Sequence, residues 1–430
     1  MRVRRALSTI ASAGALAGAL VGATLATSPG AAGQADPLQL PTAAIALGDS
    51  FVSGEGAGAY QSVADLNGVS QGFPGWTAPN SNAYFCHRSA NASIQVAELA
   101  GVSARFNLAC SGGQPADMAA ASSARPKGRT VASQITQLRQ VAQTHDIDVV
   151  LIGLGSNNSQ FTFGTVASEC AGRFVAAGYT GWWEIWVPLM NWLSGTPVAN
   201  ENPCTLAEMA TDAQVAAATQ ETTAAVRQVL TALAEVDADG QHTVVLQDYT
   251  SPLPTEFATQ YHDEDGRTDT RDKFRELVRE RYAAGCPAHR ASLGPAAQFT
   301  DKLAGIVHST YATLKAERPA EKLVFLDVRR AFDGARLCEN PGSPAGTLAT
   351  PLRLQDQPNG TFVQSLSGYD KIGVQRLSKT CNTYFQTCQE SWHPNLAGHQ
   401  ALGACLSSAV TIGGGQVTCR RLPDGTMTTS

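Results

Sequence analysis

The chain has 430 residues, with 31 Lys+Arg against 36 Asp+Glu and a net charge of −5. Hydrophobic residues make up 43% and charged residues 16%, enough apolar material for a sizeable core and too little charge for a disordered chain. The mild acidity argues against a nucleic-acid binder held by phosphate contacts, and ten cysteines are more than a cytosolic enzyme of this size would keep reduced.

Arg2, Arg4 and Arg5 open the chain, and a small-residue apolar run follows to about Ala26, then Pro29-Gly30. This is the layout of an export signal cleaved near Ala32 or Ala35. The run is too rich in Ala and Gly, and too interrupted by polar residues, to favour a permanent membrane span. No cysteine precedes Cys86, which excludes a lipid-anchored cysteine at the cleavage site. Residues 1–35 are therefore expected to be removed, leaving 36–430 as one secreted domain.

Short continuous apolar runs at 43–47, 106–109, 148–154, 243–246 and 322–328 have the pattern of strands buried on both faces. Helical spacing fills 206–236, 273–283 and 300–316 between them. Alternating strands and helices imply crossover connections, hence an α/β fold with a five-stranded, mostly parallel sheet. Residues 160–204 and 251–294 break this rhythm and are expected to be insertions in the single domain.

Polar residues gather where these runs end. The first ends in Gly48-Asp49-Ser50 and continues through Gly54-Glu55-Gly56. The second leads into Cys110-Ser111-Gly112-Gly113, and the third into Gly155-Ser156-Asn157-Asn158. Near the C-terminus stands Glu390-Ser391-Trp392-His393-Pro394. A serine past the carboxyl end of a parallel strand sits where such sheets place ligand crevices. A histidine in reach makes that serine a nucleophile, and a glycine N–H and a side-chain amide are the donors that an oxyanion needs.

These four blocks, in this order from Gly48 to His399, resemble the GDSL-type serine esterases and lipases, also called SGNH hydrolases, and among them the secreted bacterial type. The resemblance implies a three-layer α/β/α flavodoxin-like sandwich. It implies Ser50 as nucleophile, His393 as general base, and Ser50, Gly112 and Asn157 as the oxyanion hole. The family's aspartate three residues before the histidine is replaced here by Glu390, so the third triad member is either Glu390 or a backbone carbonyl near it. The implied activity is hydrolysis of a small-molecule or lipid ester through an acyl-enzyme on Ser50, with no cofactor and no metal. Polysaccharide deacetylation, phospholipase A activity and acyl transfer use the same site, and a non-catalytic secreted binding protein on this scaffold stands as the contrasting class.

The remaining motifs receive structural readings. His399 is expected to pack or to face solvent, and the other histidines lack the spacing of a metal site. The acidic run Asp263-Glu264-Asp265-Gly266 lacks an EF-hand's first ligand and reads as a solvated loop. The segment from Tyr179 to Leu193 carries four tryptophans. It is expected to pack a satellite core or to form an apolar lid or acyl-chain wall in transient contact with a lipid interface. Nearest-neighbour pairing of the cysteines gives Cys86–Cys110, Cys170–Cys204, Cys286–Cys338, Cys381–Cys388 and Cys405–Cys419. A monomer is expected.

Overall fold

The computed structural model describes residues 40–59, 86, 88–121, 131–164, 166, 170, 174, 203–237, 240–256, 276–277, 280–281, 288–337, 339 and 392–430. The expected leader, the tryptophan-rich segment, the acidic run, Glu390 and four of the cysteines (Cys286, Cys338, Cys381 and Cys388) lie outside the described residues.

Each expected strand forms, in the order β1 Thr42–Gly48, β2 Ala104–Asn107, β3 Asp146–Gly153, β4 Thr243–Gln247 and β5 Leu323–Arg330. Their aliphatic runs are almost wholly buried, as strands covered on both faces must be. They pair in parallel in the spatial order 2-1-3-4-5, so the chain steps one way from β1 to β2 and the other way from β3 onward. The direction reverses between β1 and β3, and the crevice at their carboxyl ends is where this topology receives ligands.

The sheet has seven strands rather than the expected five. β6 Gly415–Arg421 adds in parallel beside β5, and β7 Met427–Thr429 turns back antiparallel on it. Only Val417 and Cys419 of β6 are buried, so this edge strand shows no continuous apolar run. The Cys405–Cys419 disulfide pins it to the preceding helix, α7.

The helices, in chain order, are α1 Ser50–Ser53, α2 Ser93–Val96, α3 Gln134–Ala142, α4 Leu206–Met209, α5 Asp212–Val236, α6 Arg290–Glu317 and α7 Leu396–Ile412. The long α5 and α6 pack on each other in one layer; α2 and α7 pack together in another, giving a three-layer α/β/α arrangement around the sheet. Close approach of α7 to α2 needs Gly403, where a Cβ would stand 3.0 Å from a Val96 methyl.

Two helix boundaries differ from the spacing. The expected 206–236 helix is broken at Ala210-Thr211, where both residues are extended. Thr205 with Glu208 and Thr211 with Gln214 form consecutive capping boxes, so Thr211 starts a new helix instead of continuing the old one. α6 begins ten residues before the expected 300 and carries Pro295 within its second turn. Residues 290–294, expected to belong to an insertion, are thus the first turn of this helix.

Candidate active site

Four strand ends converge on the first glycine turn. β1 and β3 finish level with one another at Gly48 and Gly153. A Cβ on Gly48 would lie 1.9 Å from the Gly153 oxygen, and Gly48 has a φ of +139°, so no side chain fits there. The Gln134 side chain clamps this peptide, accepting from the Gly48 N–H at 2.7 Å and donating to its carbonyl at 2.8 Å. Asp49 then caps α1, its Oδ1 accepting from the Phe51 N–H at 3.1 Å. Ser50 is the first residue of that helix, and its N–H has no intrahelical carbonyl to reach.

His393 arrives from 343 residues away and sets its Nε2 2.8 Å from Ser50 Oγ, both side chains buried. Trp392 before it has a φ of +65°, an uncommon conformation for a bulky residue and one that turns the chain sharply ahead of α7. The Phe163 ring and the imidazole meet at a steep angle, with centroids 5.7 Å apart.

The loop after β2 abuts the same turn. The Cys110 N–H donates to the Gly48 carbonyl at 3.0 Å, and a Cβ on Gly113 would stand 2.8 Å from that oxygen. Gly112, between them, has a φ of +67°. Three features brace the loop: the Cys86–Cys110 disulfide, the buried Arg88 and the buried Glu55. The Arg88 guanidinium donates to the carbonyls of Leu108 at 2.7 Å and Ala109 at 2.8 Å, and to Gln137 Oε1 at 2.9 Å. Burial pulls its pKa down to about 9, so it stays charged at neutral pH. Glu55 accepts from the Ser111 hydroxyl at 2.5 Å, joining the Gly54-Glu55-Gly56 block to the loop carrying Gly112.

The loop after β3 closes the other side. Residues 156–163 fold back as a tight hairpin: Asn157 bridges Thr162, and the Phe163 N–H donates to the Ser156 carbonyl at 2.9 Å. One turn therefore carries both the Asn157 amide and the ring that faces His393. Ser156 Oγ donates to Asp49 Oδ2 at 2.6 Å, and Asn157 Nδ2 donates to Ser156 Oγ at 3.3 Å.

The fourth strand end supplies Tyr249. Its hydroxyl donates to Asp49 Oδ2 at 2.6 Å and accepts from the Ser156 N–H at 3.0 Å, while its ring meets Phe51 edge-on. Burial pushes the Asp49 carboxyl above its ordinary value; donors from Ser156, Tyr249 and Phe51, and the nearby His393, pull it back. Burial and then the Asp49 charge push the Tyr249 phenol far up, so it keeps its proton.

Ser50, His393, Gly112 and Asn157 thus gather around one turn. The carboxylate of Asp49, Ser156, Tyr249, Arg88 and Gln134 were not singled out as site residues from sequence. A signal was present for Tyr249, because Asp248-Tyr249 follows the fourth apolar run as the other polar blocks follow theirs. His399 is fully buried at the start of α7, with its Nε2 3.4 Å from the Glu55 carbonyl. The Cys86–Cys110, Cys170–Cys204 and Cys405–Cys419 bonds are formed.

No family model matches the chain, and no curated protein matches it. Among solved structures it is similar to a phospholipase A1 from Streptomyces albidoflavus NA297, at 14% identity and a TM-score of 0.40, over 86% of this chain and 98% of that one. It is also similar to an extracellular lipase from Streptomyces rimosus, at 18% identity and a TM-score of 0.34, over 86% and 99% of the two chains. Both likenesses are distant, and the chemistry of this chain rests on its own side chains.

Proposed function

We propose that this chain is a secreted serine hydrolase of the GDSL (SGNH) type, cleaving carboxylic esters through an acyl-enzyme on Ser50. The observation that carries this reading is the 2.8 Å contact between Ser50 Oγ and His393 Nε2 at the carboxyl end of β1. A serine hydroxyl is a poor nucleophile until a base takes its proton, and a buried imidazole at that distance is such a base.

In the proposed reaction His393 Nε2 accepts the Ser50 proton as Oγ attacks the ester carbon. Negative charge then gathers on the former carbonyl oxygen. The N–H groups of Ser50 and Gly112 and the Asn157 amide stabilise it, each such donor being worth about 10²–10³ in rate. The imidazolium delivers its proton to the leaving alkoxide as the tetrahedral species collapses. Water, activated by the same imidazole, repeats the sequence to release the acid. Glu390 is the proposed orienting carboxylate for His393. Strong losses of turnover in both Glu390→Gln and Glu390→Ala support that role, and near-normal rates in both assign it to a backbone carbonyl.

The disulfides support export, since such bonds persist in oxidising compartments. The test is turnover of p-nitrophenyl esters of increasing chain length by the mature chain and by Ser50→Ala. Turnover that disappears with the hydroxyl is expected, and its chain-length profile identifies the acyl group preferred. An inert wild type toward esters, phospholipids and acetylated glycans overturns the reading in favour of a binding protein.

A further inference from the structure

We infer that Ser156 and Tyr249 are positioning residues for ester hydrolysis: with Asp49 they form a buried clamp that sets the orientation of the Asn157 amide relative to Ser50. This rests on the hydrolase reading above and adds to it two residues that act through others.

The Asp49 carboxylate offers only acceptors, and its Oδ2 receives both the Ser156 hydroxyl and the Tyr249 hydroxyl at 2.6 Å. Ser156 has one hydroxyl hydrogen, now committed to Asp49, so its remaining Oγ capacity is to accept. Asn157 Nδ2 stands 3.3 Å away and supplies the donor. The amide is thereby held with its NH₂ end, not its oxygen, on the Ser156 hydroxyl that Asp49 anchors. A flipped amide would oppose two acceptors, Asn157 Oδ1 and Ser156 Oγ, and would present oxygen where an oxyanion forms.

Tyr249 fixes the loop that carries this amide. The Ser156 N–H is not taken by a neighbouring strand; it donates to a phenol 93 residues further along the chain, at 3.0 Å. That phenol also donates to the residue before the nucleophile, 200 residues away in sequence. Tyr249 accordingly sets the spacing between the turn bearing Ser50 and the loop bearing Asn157. All four groups are buried, at 0% for Asp49 and 3% to 4% for Ser156, Asn157 and Tyr249, so bulk water does not replace a bond that is lost. Hydrogen bonds to a charged group in such surroundings are the strong kind.

The consequence is selective. Orientation of an oxyanion donor acts on the transition state and not on ground-state binding, so loss of the clamp lowers kcat and leaves KM nearly unchanged. It also acts through Asn157, so its effect vanishes once that amide is gone.

The test is a double-mutant cycle on p-nitrophenyl ester turnover with wild type, Ser156→Ala, Ser156→Thr, Tyr249→Phe and Asn157→Ala, and with each clamp variant combined with Asn157→Ala. Ser156→Ala and Tyr249→Phe are expected to lower kcat roughly ten- to a hundredfold, with KM within about threefold of wild type. Ser156→Thr, which keeps the hydroxyl, restores most of the rate. In the Asn157→Ala background each clamp substitution costs less than about threefold. Equal losses in both backgrounds, or unchanged kcat in Ser156→Ala, overturn the inference while wild-type turnover leaves the hydrolase reading standing. A wild type inert on every ester overturns both. Should Tyr249→Phe not fold, the Ser156 arms of the cycle decide the matter alone.

Discussion

The second histidine of the C-terminal block makes the chain sensitive to acid in a way that can be isolated. His399 is fully buried, with Nδ1 unpartnered among the described residues and Nε2 3.4 Å from the Glu55 carbonyl. Burial lowers its pKa from 6.5 to about 4, the nearby His393 adding to the effect and Glu55 opposing it. The folded value lies below the unfolded one, so the neutral ring contributes nothing adverse above pH 6.5. As pH falls below 6.5 the unfolded chain binds a proton that the native state refuses, and stability is lost until the pH reaches about 4. At about 1.36 kcal/mol per unit, the two units down to pH 4.5 cost about 2–3 kcal/mol. His399→Gln keeps size and a donor but does not titrate. Urea unfolding at pH 7.5 and at pH 4.5, with disulfides intact, should show a pH-dependent loss smaller by about 2–3 kcal/mol in the variant. Identical losses in wild type and variant would refute the reasoning, because His399 would then titrate alike in both states.

Other consequences follow from the same geometry. Opening the Cys86–Cys110 bond with paired serine substitutions removes a staple across 24 residues and should cost about 3.5 kcal/mol in denaturant unfolding. Arg88→Met leaves the carbonyls of Leu108 and Ala109 without their buried charged donor and should destabilise the fold by about 2–4 kcal/mol, measured the same way. Burial, and then the neighbouring Asp327 charge, hold the Asp248 carboxyl well above its ordinary value, while Arg329 outweighs burial at Asp327 and keeps it low. A raised folded pKa gives stability that is whole below the ordinary value of 3.8 and declines as pH rises toward the folded one. Asp248→Asn retains the acceptor for the Val328 N–H but cannot ionise, so thermal melts from pH 4 to 8 should fall less steeply for the variant than for wild type.

The parallel strands are legible in the sequence because burial on both faces leaves an uninterrupted aliphatic signature, as in Ala43 to Leu47 and Val149 to Leu154. The edge strand is not, because Gln416, Thr418 and Arg420 alternate with its two buried residues and the run begins in three glycines. The break at Thr211 is written in the two capping boxes, but helical spacing on either side conceals it. At the site, Ser50 and His393 are legible through their local blocks, although only the fold brings residues 343 apart to 2.8 Å. Ser156 lies inside the third block and Asp248-Tyr249 follows the fourth apolar run, but neither position announces a part in the site. Their meeting at Asp49 depends on the lengths and register of three strands, which spacing along the chain does not report.

The central claim is that Ser50 becomes covalently acylated with His393 as its base. Peptide mass spectrometry after brief exposure to a fluorophosphonate tests it most directly. A single adduct is expected on the peptide carrying Ser50, formed far more slowly in His393→Ala. No adduct on Ser50, or an adduct formed at the same rate without His393, would contradict it.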